Sequence, residues 1–326
     1  MNTRRLRSVA EAAEILRHGG LVAFPTETVY GLGADGLDPA AVRAVFAAKG
    51  RPADNPLILH VHDVVGAETV AVLDARARRL ASGHWPGPLS LVLPARPQVP
   101  EEVRAGLPTV AVRCPRHPLA LALIAAAGRP LAAPSANLSG RPSPTSAEAV
   151  LEDLDGRIDA VLDGGPCPLG LESTVVDCTG PTLRLLRLGA LAAEDLGLEP
   201  RVGGGQALSP GMRHRHYAPR IPLRVVDDLG LALAEHPEAA VLCTAEQAAR
   251  AHLAPGPAVY VLSADPVRRG AELYAALRLL ERCGRPLILA AAVPDQGTDA
   301  AVMDRLRRAA SGSQGGAGQG VDADRA

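Results

Sequence analysis

Four basic side chains stand where strands or helices are expected to end: Lys49, Arg51, Arg113 and Arg187. A guanidinium group carries forked N–H donors that can bind phosphate or carboxylate oxygens in pairs. Hydroxyl and amide groups accompany these cations along the chain, at Thr28, Asn55, Thr109, Ser135, Ser143 and Ser173. Together these residue types predict a pocket for a polyanion beside a small polar molecule.

Most of these residues fall in four polar segments: PTETVYGLG from residue 25, KGRPADNPL from residue 49, SANLSGRPSPT from residue 135 and ESTVVD from residue 172. We expect these segments where strands end, which is the usual place for ligand contacts in α/β proteins. Taken singly, each segment is typical of ordinary turns. Their shared content favours one common cavity.

Several common catalytic motifs are missing from the sequence. It contains no G-x-x-x-x-G-K-[ST] run, and Gly203–Gly205 lie in a connector rather than after a strand. It also lacks an H-E-x-x-H motif, a Ser-His-Asp order and a cluster of metal-ligand residues. Arginine would then hold the phosphates of a nucleotide, and neither a protein nucleophile nor a zinc site is expected.

The elements that must position these residues alternate between helix and strand. Ser8 with Glu11 predicts the start of a helix that reaches about Arg17, and the Asp38–Pro39 pair starts a second helix that Gly50 ends. Strands are predicted at 21–24, 57–61, 89–93, 110–113, 131–133, 161–162, 174–177 and 183–188, and further helices at 117–127 and 146–154. This pattern predicts a mixed α/β domain with a cavity.

The composition changes at Val202, where a stretch rich in glycine, proline and basic residues marks a connector. Regular alternation follows: strands are predicted at 223–226, 241–243, 259–262 and 287–291, and helices at 245–251, 265–283 and 299–309. Strands that alternate with helices predict a small open parallel sheet. The polar last stretch is predicted to be disordered.

Composition also excludes several classes of protein. Hydrophobic residues make up 47% of the 326 residues and aromatics only 2%, so the core must be aliphatic, which suits buried strands. We find no apolar run near the roughly 20 residues that cross a bilayer and no export signal. Five widely spaced cysteines without a C-x-x-C pair favour the cytoplasm. The net charge of −1 argues against nonspecific coating of nucleic acid.

Taken together, the segments F-P-T-E-T-V-Y-G-L-G, K-G-R-P-A-D-N-P-L, W-P-G-P-L, S-A-N-L-S-G and E-S-T-V-V-D resemble the threonylcarbamoyl-AMP synthase family, which has a YrdC-like catalytic domain. The segments S-P-G-M-R-H-R-H-Y-A-P and V-P-D-Q-G-T-D-A-A-V-M-D-R-L-R-R-A-A resemble the longer, two-domain form. The resemblance covers about residues 11–310. It implies a twisted mixed sheet curled around a cavity (1–201), a connector acting as a lid (202–220), a smaller Rossmann-like parallel α/β domain (221–310) and a disordered tail (311–326).

The resemblance also implies an activity, that of a nucleotidyltransferase. L-threonine and bicarbonate would form a carbamate that attacks ATP, giving L-threonylcarbamoyl-AMP and pyrophosphate for the modification of tRNA to threonylcarbamoyladenosine. Mg²⁺ would accompany ATP. The product would pass to the tRNA threonylcarbamoyl transferase complex; direct contact with tRNA is left open, and no membrane is involved.

Residue roles follow from the same resemblance. The L-threonine site maps onto Thr28, His60, Arg113, Ala133 and Ser173. The ATP site maps onto Arg51, Asn55, Thr109, Ser135, Ser143, Arg187 and Tyr217. Lys49 and Arg51 would act electrostatically, and no residue would act as a nucleophile.

Two alternatives stay open at this point. The first domain could be an RNA-binding module without ATP turnover, because arginine-lined surfaces also bind RNA by shape. The near-neutral charge and the scarcity of aromatics count against it. The chain could also be a related carbamoyl-adenylating enzyme, like the hydrogenase-maturation carbamoyltransferases. Those proteins carry zinc-binding cysteine pairs that this sequence lacks.

Overall fold

The structure is a computed structural model that describes residues 2–199 and 216–311 of the chain. Within these residues the strands form a ten-stranded sheet, here called the large sheet, and a four-stranded sheet, here called the small sheet. This confirms the predicted α/β fold with one larger mixed sheet and one smaller parallel sheet. The domain boundaries stay predictions, and most of the predicted connector and of the predicted tail lies outside the described residues.

The large sheet is mixed. Within the described residues its strands are β1 (Arg4–Leu6), β2 (Val22–Phe24), β3 (Gly31–Asp35), β4 (Ile58–His60), β5 (Leu89–Pro94), β6 (Thr109–Arg113), β7 (Leu131–Ala132), β8 (Ala160–Leu162), β9 (Thr174–Asp177) and β10 (Arg184–Arg187). Their spatial order is β1-β8-β2-β3-β7-β4-β6-β5-β9-β10. The connecting helices are α1 (Val9–Arg17), α2 (Pro39–Lys49), α3 (Val64–Val70), α4 (Ala75–His84), α5 (Glu101–Arg104), α6 (Pro118–Ala127) and α7 (Ala147–Leu154).

Local sequence explains where the first helices begin and end. The Ser8 side chain accepts a hydrogen bond from the Glu11 backbone N–H at the start of α1. Asp38 does the same for Ala40 at the start of α2, where Pro39 has the backbone angle that a helix needs. Gly50 ends α2 with a φ of 61°, in the left-handed region that glycine tolerates.

Strand direction brings polar side chains to one edge of the large sheet. His60 at the end of β4 lies opposite Arg113 at the end of the parallel strand β6. Strands β5 and β9 begin at this same edge, since β5 runs antiparallel to β6 and parallel to β9. Strand β10 runs antiparallel to β9 and therefore ends there, which brings Arg187 beside Ser173. Alternating direction, not proximity in sequence, gathers these residues.

The core of the large sheet is aliphatic, as the composition predicted. Leu59, Leu91 and Val112, on three neighbouring strands, are fully buried. Rings are few in this core, and Phe24 and Tyr30 are large buried examples among its strands and loops. Each buried side chain of this size contributes about 1.5–3 kcal/mol relative to an exposed one, so a core without many rings can still stabilise the sheet.

The small sheet is parallel throughout. Within the described residues its strands are β11 (Leu223–Val226), β12 (Ala240–Thr244), β13 (Val259–Leu262) and β14 (Ile288–Ala291), in the order β11-β14-β12-β13. The helices are α8 (Leu229–Glu235), α9 (Ala245–Arg250), α10 (Pro266–Leu280) and α11 (Gly297–Ser311). Asp265 accepts a hydrogen bond from the Arg268 N–H and so begins α10 at the predicted place.

Some elements were absent from the sequence-based prediction: β1, α3, α4, α5, α8 and above all β3. The segment PTETVYGLG was interpreted as a loop at the end of a strand, yet its last residues belong to the buried strand Gly31–Asp35, which pairs with β2 and β7. Glycine usually disfavours strands, but it fits here because a Cβ atom on Gly33 would lie 2.8 Å from the ring of Phe24. Among the described residues, no helix is both long and apolar enough to cross a membrane.

One face of α10 joins the small sheet to the loops of the large sheet. Tyr274, Arg278 and Glu281 follow one another at helical spacing and so point the same way. Glu281 accepts two hydrogen bonds of 2.7 Å from the Arg141 guanidinium. Arg278 donates to Asp153 at 2.8 Å and to the Pro142 carbonyl at 2.6 Å. These buried contacts hold the two parts of the described chain in a fixed relation.

Candidate active site

A cavity lies over β4 and at the edge of the large sheet where β4, β6 and β10 end. Loops from separate parts of the chain converge on it, and the three arginines predicted from the sequence, Arg51, Arg113 and Arg187, line it together. Other lining residues include Thr26, Thr28, Lys49, Ile58, His60, Ala133, Ser135, Asn137, Arg141, Ser143, Glu172, Ser173, His216 and Tyr217. The convergence of cations expected from the sequence is therefore present in the structure.

All five residues predicted to contact L-threonine line this cavity. Arg113 is central among them, and several of its N–H groups already contact other protein atoms. Its Nη1 donates to Thr28 Oγ1 at 2.9 Å and its Nε to the Gly87 carbonyl at 3.2 Å. Its Nη2 lies 2.7 Å from the Glu27 carboxylate, and both side chains are almost completely buried. These contacts hold the guanidinium in one orientation at the wall of the cavity.

The Thr28 hydroxyl lies between Arg113 and Thr26. Thr28 Oγ1 accepts a hydrogen bond from Arg113 Nη1 and lies 2.8 Å from Thr26 Oγ1. Thr26 Oγ1 in turn donates to the Val29 carbonyl at 2.7 Å and accepts from the backbone N–H groups of Thr28 and Val29 at 3.1 and 3.2 Å. Since a hydroxyl has one donor and two acceptor positions, Thr28 Oγ1 keeps one of the three for a ligand.

His60 is buried beside Arg113, and its ring meets the Phe24 ring edge to face at 5.9 Å. Burial, aided by the positive charge of Arg113, lowers the His60 pKa from 6.5 to about 3. The imidazole is therefore neutral at physiological pH. Its Nδ1 lies 3.3 Å from the Ile58 carbonyl and so donates there, which leaves Nε2 as an acceptor and adds no further cation to the site.

This lowered pKa makes stability depend on pH. Between pH 6.5 and about 3 the unfolded chain binds a proton at His60 that the folded chain does not. Stability is therefore complete above pH 6.5 and falls as the pH drops toward 3, by about 1.4 kcal/mol per pH unit for one such group. We expect the slope of unfolding free energy against pH, measured by urea denaturation from pH 6 to 4, to be smaller in His60→Gln than in the wild type. The difference should approach about 1.4 kcal/mol per pH unit, the value for one bound proton. Equal slopes in both proteins would contradict it.

The residues predicted to contact ATP divide into two groups. Arg51, Ser135, Ser143, Arg187 and Tyr217 line the cavity, as does Lys49. Asn55 and Thr109 are not among the lining residues. Thr109 begins β6, so it lies at the sheet edge opposite Arg113.

Asn55 acts instead through its backbone. The Asn55 carbonyl accepts hydrogen bonds of 3.3 and 3.1 Å from Nε and Nη2 of Arg51, and the Pro56 carbonyl accepts a further bond of 3.0 Å from Nη2. Burial lowers the Arg51 pKa to about 10, with Arg187 contributing, so the guanidinium stays charged at neutral pH. Asn55 thus orients a lining cation rather than lining the cavity itself.

Lys49 holds a loop in place. Its Nζ donates to the carbonyls of Ser135 and Asn137 at 2.5 Å each, and the Ser139 N–H donates to the Lys49 carbonyl at 2.9 Å. Burial, together with the nearby charge of Arg51, lowers the Lys49 pKa well below its usual value. Lys49 therefore connects the end of α2 to the SANLSGRPSPT segment that carries Ser135 and Ser143.

Arg187 and Ser173 form the wall between the two predicted halves of the site. Arg187 donates to the Ser173 carbonyl through Nε at 3.1 Å and Nη2 at 2.8 Å, and Nη2 also lies 3.0 Å from Ser173 Oγ. Ser173 Oγ lies 2.7 Å from Ser90 Oγ. Ser173, which is predicted for L-threonine, therefore contacts Arg187, which is predicted for ATP.

Sequence reasoning missed several lining residues, of which Glu172, Asn137 and His216 matter most. Glu172 stands beside Ser173 in the segment ESTVVD. The signal that could have indicated it is a carboxylate two residues before the predicted strand at 174–177. His216 lies next to Tyr217 with its ring 5.5 Å away, and its Nε2 is buried without a hydrogen-bond partner among the described residues. Burial, aided by Arg51, lowers the His216 pKa to about 3.

Comparison with known proteins supplies independent findings. A family model described as "Telomere recombination" matches residues 14–189, and one described as "Threonylcarbamoyl-AMP synthase, C-terminal domain" matches residues 185–311. The chain is 42% identical to threonylcarbamoyl-AMP synthase of Bacillus subtilis, with 93% of each chain covered. It is 44% identical to the protein of that name from Pyrococcus abyssi, with 91% of this chain and 92% of that protein covered.

A solved structure is similar over nearly the whole chain. The crystal structure of P. abyssi Sua5 complexed with L-threonine matches with a TM-score of 0.86 at 41% identity. The match covers 95% of this chain and 97% of the other. The fold of nearly the whole chain thus has a counterpart in an experimentally determined structure.

Proposed function

This chain belongs to the threonylcarbamoyl-AMP synthase family, and we propose that its cavity holds L-threonine beside ATP so that a threonine carbamate reaches the α-phosphate. The enzyme is a nucleotidyltransferase that forms L-threonylcarbamoyl-AMP. The observation that carries the proposal is the convergence of Arg51, Arg113 and Arg187 on one cavity. Two anionic reactants need such a concentration of fixed positive charge.

L-threonine would occupy the end of the cavity where β4 and β6 end. The Arg113 guanidinium supplies positive charge for the carboxylate of the amino acid. Thr28 keeps one hydrogen-bonding position beside Arg113 for a polar group of the substrate, and neutral His60 suits a group that is not a strong anion. Ala133 and Ser173 complete this half of the site in our proposal.

ATP would lie toward the start of β4, where Arg51 is held by backbone carbonyls. Arg51 and Arg187 provide charge for the triphosphate, and Ser135, Ser143 and Tyr217 line the same region. Lys49 contributes mainly by holding the loop that carries Ser135. Asn55 contributes by orienting Arg51, and for Thr109 the structure gives no contact with the cavity.

The chemistry needs positioning more than it needs an acid or a nucleophile. The threonine amine combines with bicarbonate, losing water, and becomes a carbamate anion. A carbamate oxygen then forms a bond to the α-phosphorus while the bond from that phosphorus to the bridging oxygen breaks and pyrophosphate leaves. The cations lower the repulsion between the two anions, and fixed binding sites remove the entropic cost of bringing them together.

Mg²⁺ would enter with ATP rather than bind to a protein cage. This ion prefers carboxylate, phosphate and water oxygens. Among the described lining residues the carboxylate is that of Glu172, and Arg305, Tyr274 and Ser143 already bind it. The described residues contain no group of three metal-ligand side chains. We therefore propose that phosphate oxygens and water hold the ion.

The connector would act as a lid over the labile adenylate product, which needs protection from water. Its described end supports this, because His216 and Tyr217 line the cavity and the Ala218 N–H donates to the Gly140 carbonyl at 2.8 Å.

We place the reaction in the cytoplasm, where the five free cysteines stay reduced. The product would be consumed by the tRNA threonylcarbamoyl transferase complex.

The proposal is tested by measuring pyrophosphate release from ATP with and without L-threonine and bicarbonate. We expect release only when all three are present, with L-threonylcarbamoyl-AMP as the product. Hydrolysis of ATP that ignores threonine would contradict the proposal. Salt-sensitive RNA binding without any turnover would instead support the RNA-binding alternative, and turnover of carbamoyl phosphate would support the related carbamoyl-adenylating activity.

Replacing Ser173 with alanine tests the division of the cavity into halves. We expect KM for L-threonine to rise by about tenfold, the usual effect of losing one hydrogen bond to a charged group. KM for ATP should change by less than about twofold, because Arg187 keeps its bonds to the Ser173 carbonyl. Ser90→Ala is the control, since it removes the neighbouring hydroxyl that does not line the cavity. Equal changes in both KM values would show that the halves are wrongly assigned.

A further inference from the structure

A buried carboxylate lies where the small-sheet part of the chain meets the cavity. Glu172 accepts a hydrogen bond from Ser143 Oγ at 2.6 Å on one side. On the other side Tyr274 Oη donates to its two oxygens at 3.0 and 2.9 Å, and Arg305 Nε donates at 3.0 Å. Tyr274 comes from α10 and Arg305 from α11, so both donors belong to the part of the chain that follows the connector.

Each of these donors is held in one geometry. Arg305 is fully buried, and besides Glu172 it binds the Leu188 carbonyl at 2.8 Å and the Asp304 carboxylate at 2.6 Å. The Tyr217 ring stacks on the Tyr274 ring at 5.6 Å and lies 5.1 Å from the Arg305 guanidinium. The same two residues thus fix both Glu172 and the described end of the connector.

The charge of Glu172 decides the direction of its bond with Ser143. Although burial alone would raise the pKa of this carboxyl, Arg305 and Arg187 lower it overall. An ionised carboxylate can only accept hydrogen bonds. Ser143 must therefore donate its one hydrogen to Glu172, which leaves the Ser143 oxygen as an acceptor toward the cavity. An acceptor repels phosphate oxygens and attracts hydroxyl or amino groups.

We propose that Tyr274 and Arg305 are positioning residues for the nucleotide: they hold Glu172, which orients Ser143 so that its oxygen accepts a hydrogen bond from a hydroxyl or amino group of the nucleotide. This inference rests on the proposed function in taking the ligand to be ATP. It gives the small-sheet part of the chain a role in nucleotide selection that acts through Glu172 and Ser143. The donor is either a ribose hydroxyl or the amino group of adenine, the two kinds of neutral donor that ATP offers.

Two conservative variants test the positioning role. Tyr274→Phe keeps the ring that stacks on Tyr217 but removes the donor to Glu172. Arg305→Lys keeps the charge but loses the fork that reaches Glu172 and Leu188 together. We expect KM and Kd for ATP to rise by about tenfold in each. KM for L-threonine should change by less than about twofold. General loss of structure would instead raise the KM values for both substrates.

Each variant has a matched control in the same part of the chain. Tyr260→Phe removes a tyrosine hydroxyl on β13 that does not line the cavity. Arg269→Lys alters another buried arginine–carboxylate pair, that of Arg269 with Asp299 at 2.9 Å. Both controls should keep the wild-type Kd for ATP. If Tyr274→Phe and Arg305→Lys behave like them, the positioning role is wrong.

Nucleotide analogues test the direction of the Ser143 hydrogen bond. Affinities for ATP, 2′-deoxy-ATP, 3′-deoxy-ATP and inosine triphosphate are measured by calorimetry for the full-length wild type and for Ser143→Ala. We expect the wild type to bind one analogue about tenfold more weakly than ATP, and Ser143→Ala to bind that analogue and ATP within about threefold of each other. The analogue that is affected identifies the donor as a ribose hydroxyl or the amino group.

The outcomes separate this inference from the proposed function. If Ser143→Ala discriminates among the four nucleotides as the wild type does, the acceptor assignment is wrong. If the wild type binds ATP but releases no pyrophosphate with threonine and bicarbonate, the proposed function fails, while the analogue affinities still decide the inference. Thermal unfolding of every variant, compared with its control, shows that affinity is measured on folded protein.

Discussion

Replacing Arg51 with alanine is expected to reduce threonine-dependent pyrophosphate release by about a hundredfold to a thousandfold in kcat/KM. Arg51 lines the cavity, keeps its charge at neutral pH and is aimed by the carbonyls of Asn55 and Pro56. Without this fixed donor, the negative charge that develops as pyrophosphate departs is stabilised less in the transition state. Steady-state pyrophosphate release under saturating threonine and bicarbonate measures the effect.

Two further variants show whether the loss is specific. Arg43→Ala changes an exposed arginine of α2, the helix that ends just before Arg51, and the partner of Arg43 is Glu102 of α5. It should retain wild-type activity within about twofold, because an exposed ion pair contributes little. Arg51→Lys keeps a charge without the fork and should recover only part of the activity. An Arg51→Ala enzyme that kept more than about a tenth of wild-type kcat/KM would remove Arg51 from the mechanism.

Replacing Arg113 with alanine is expected to cost both activity and stability. The variant loses the cation proposed for the threonine carboxylate and leaves the Glu27 carboxylate buried without its partner, which was 2.7 Å away. Breaking one side of a buried ion pair typically costs about 3–5 kcal/mol. Urea unfolding should therefore show a loss of that order in unfolding free energy, and threonine-dependent turnover should fall below detection.

A double variant separates the two effects. Glu27→Gln combined with Arg113→Met removes the stranded charge, so most of the lost stability should return while activity does not. Arg4→Ala is the control for an ordinary ion pair, since Arg4 and Glu11 are both more than half exposed and should contribute less than about 1 kcal/mol. If Arg113→Ala unfolds like Arg4→Ala, Glu27 and Arg113 do not stabilise the fold as a pair. If the double variant regains turnover, Arg113 does not bind the substrate.

Much of the candidate site could be predicted from short segments. The motifs around Thr28, Arg51 and Ser173 carried the resemblance to the family, and the structure brings these residues together on one cavity. The prediction did not foresee that Asn55 would contribute its carbonyl or that Thr109 would lie at the far edge of the sheet. A motif indicates which residues occur near a site, but it does not say which atom of each residue faces the ligand.

What the sequence determined by itself is local. Ser8 and Asp38 begin helices and Gly50 ends one because a cap satisfies backbone groups only a few residues away. The alternation of strands and helices after residue 220 likewise predicted a parallel sheet, because each crossover is a local unit.

What the tertiary structure alone decided depends on partners far away in the chain. Gly31–Asp35 lies within the sheet because it pairs on one side with Leu131–Ala132, a strand far away in the chain. Glu172 meets Tyr274 and Arg305 across more than a hundred residues, and no periodicity in the sequence marks that meeting. Side-chain contacts at such separations follow from strand order and from the way α10 and α11 pack on the cavity loops. They exist only once the chain has folded, so their chemistry becomes visible only in the folded molecule.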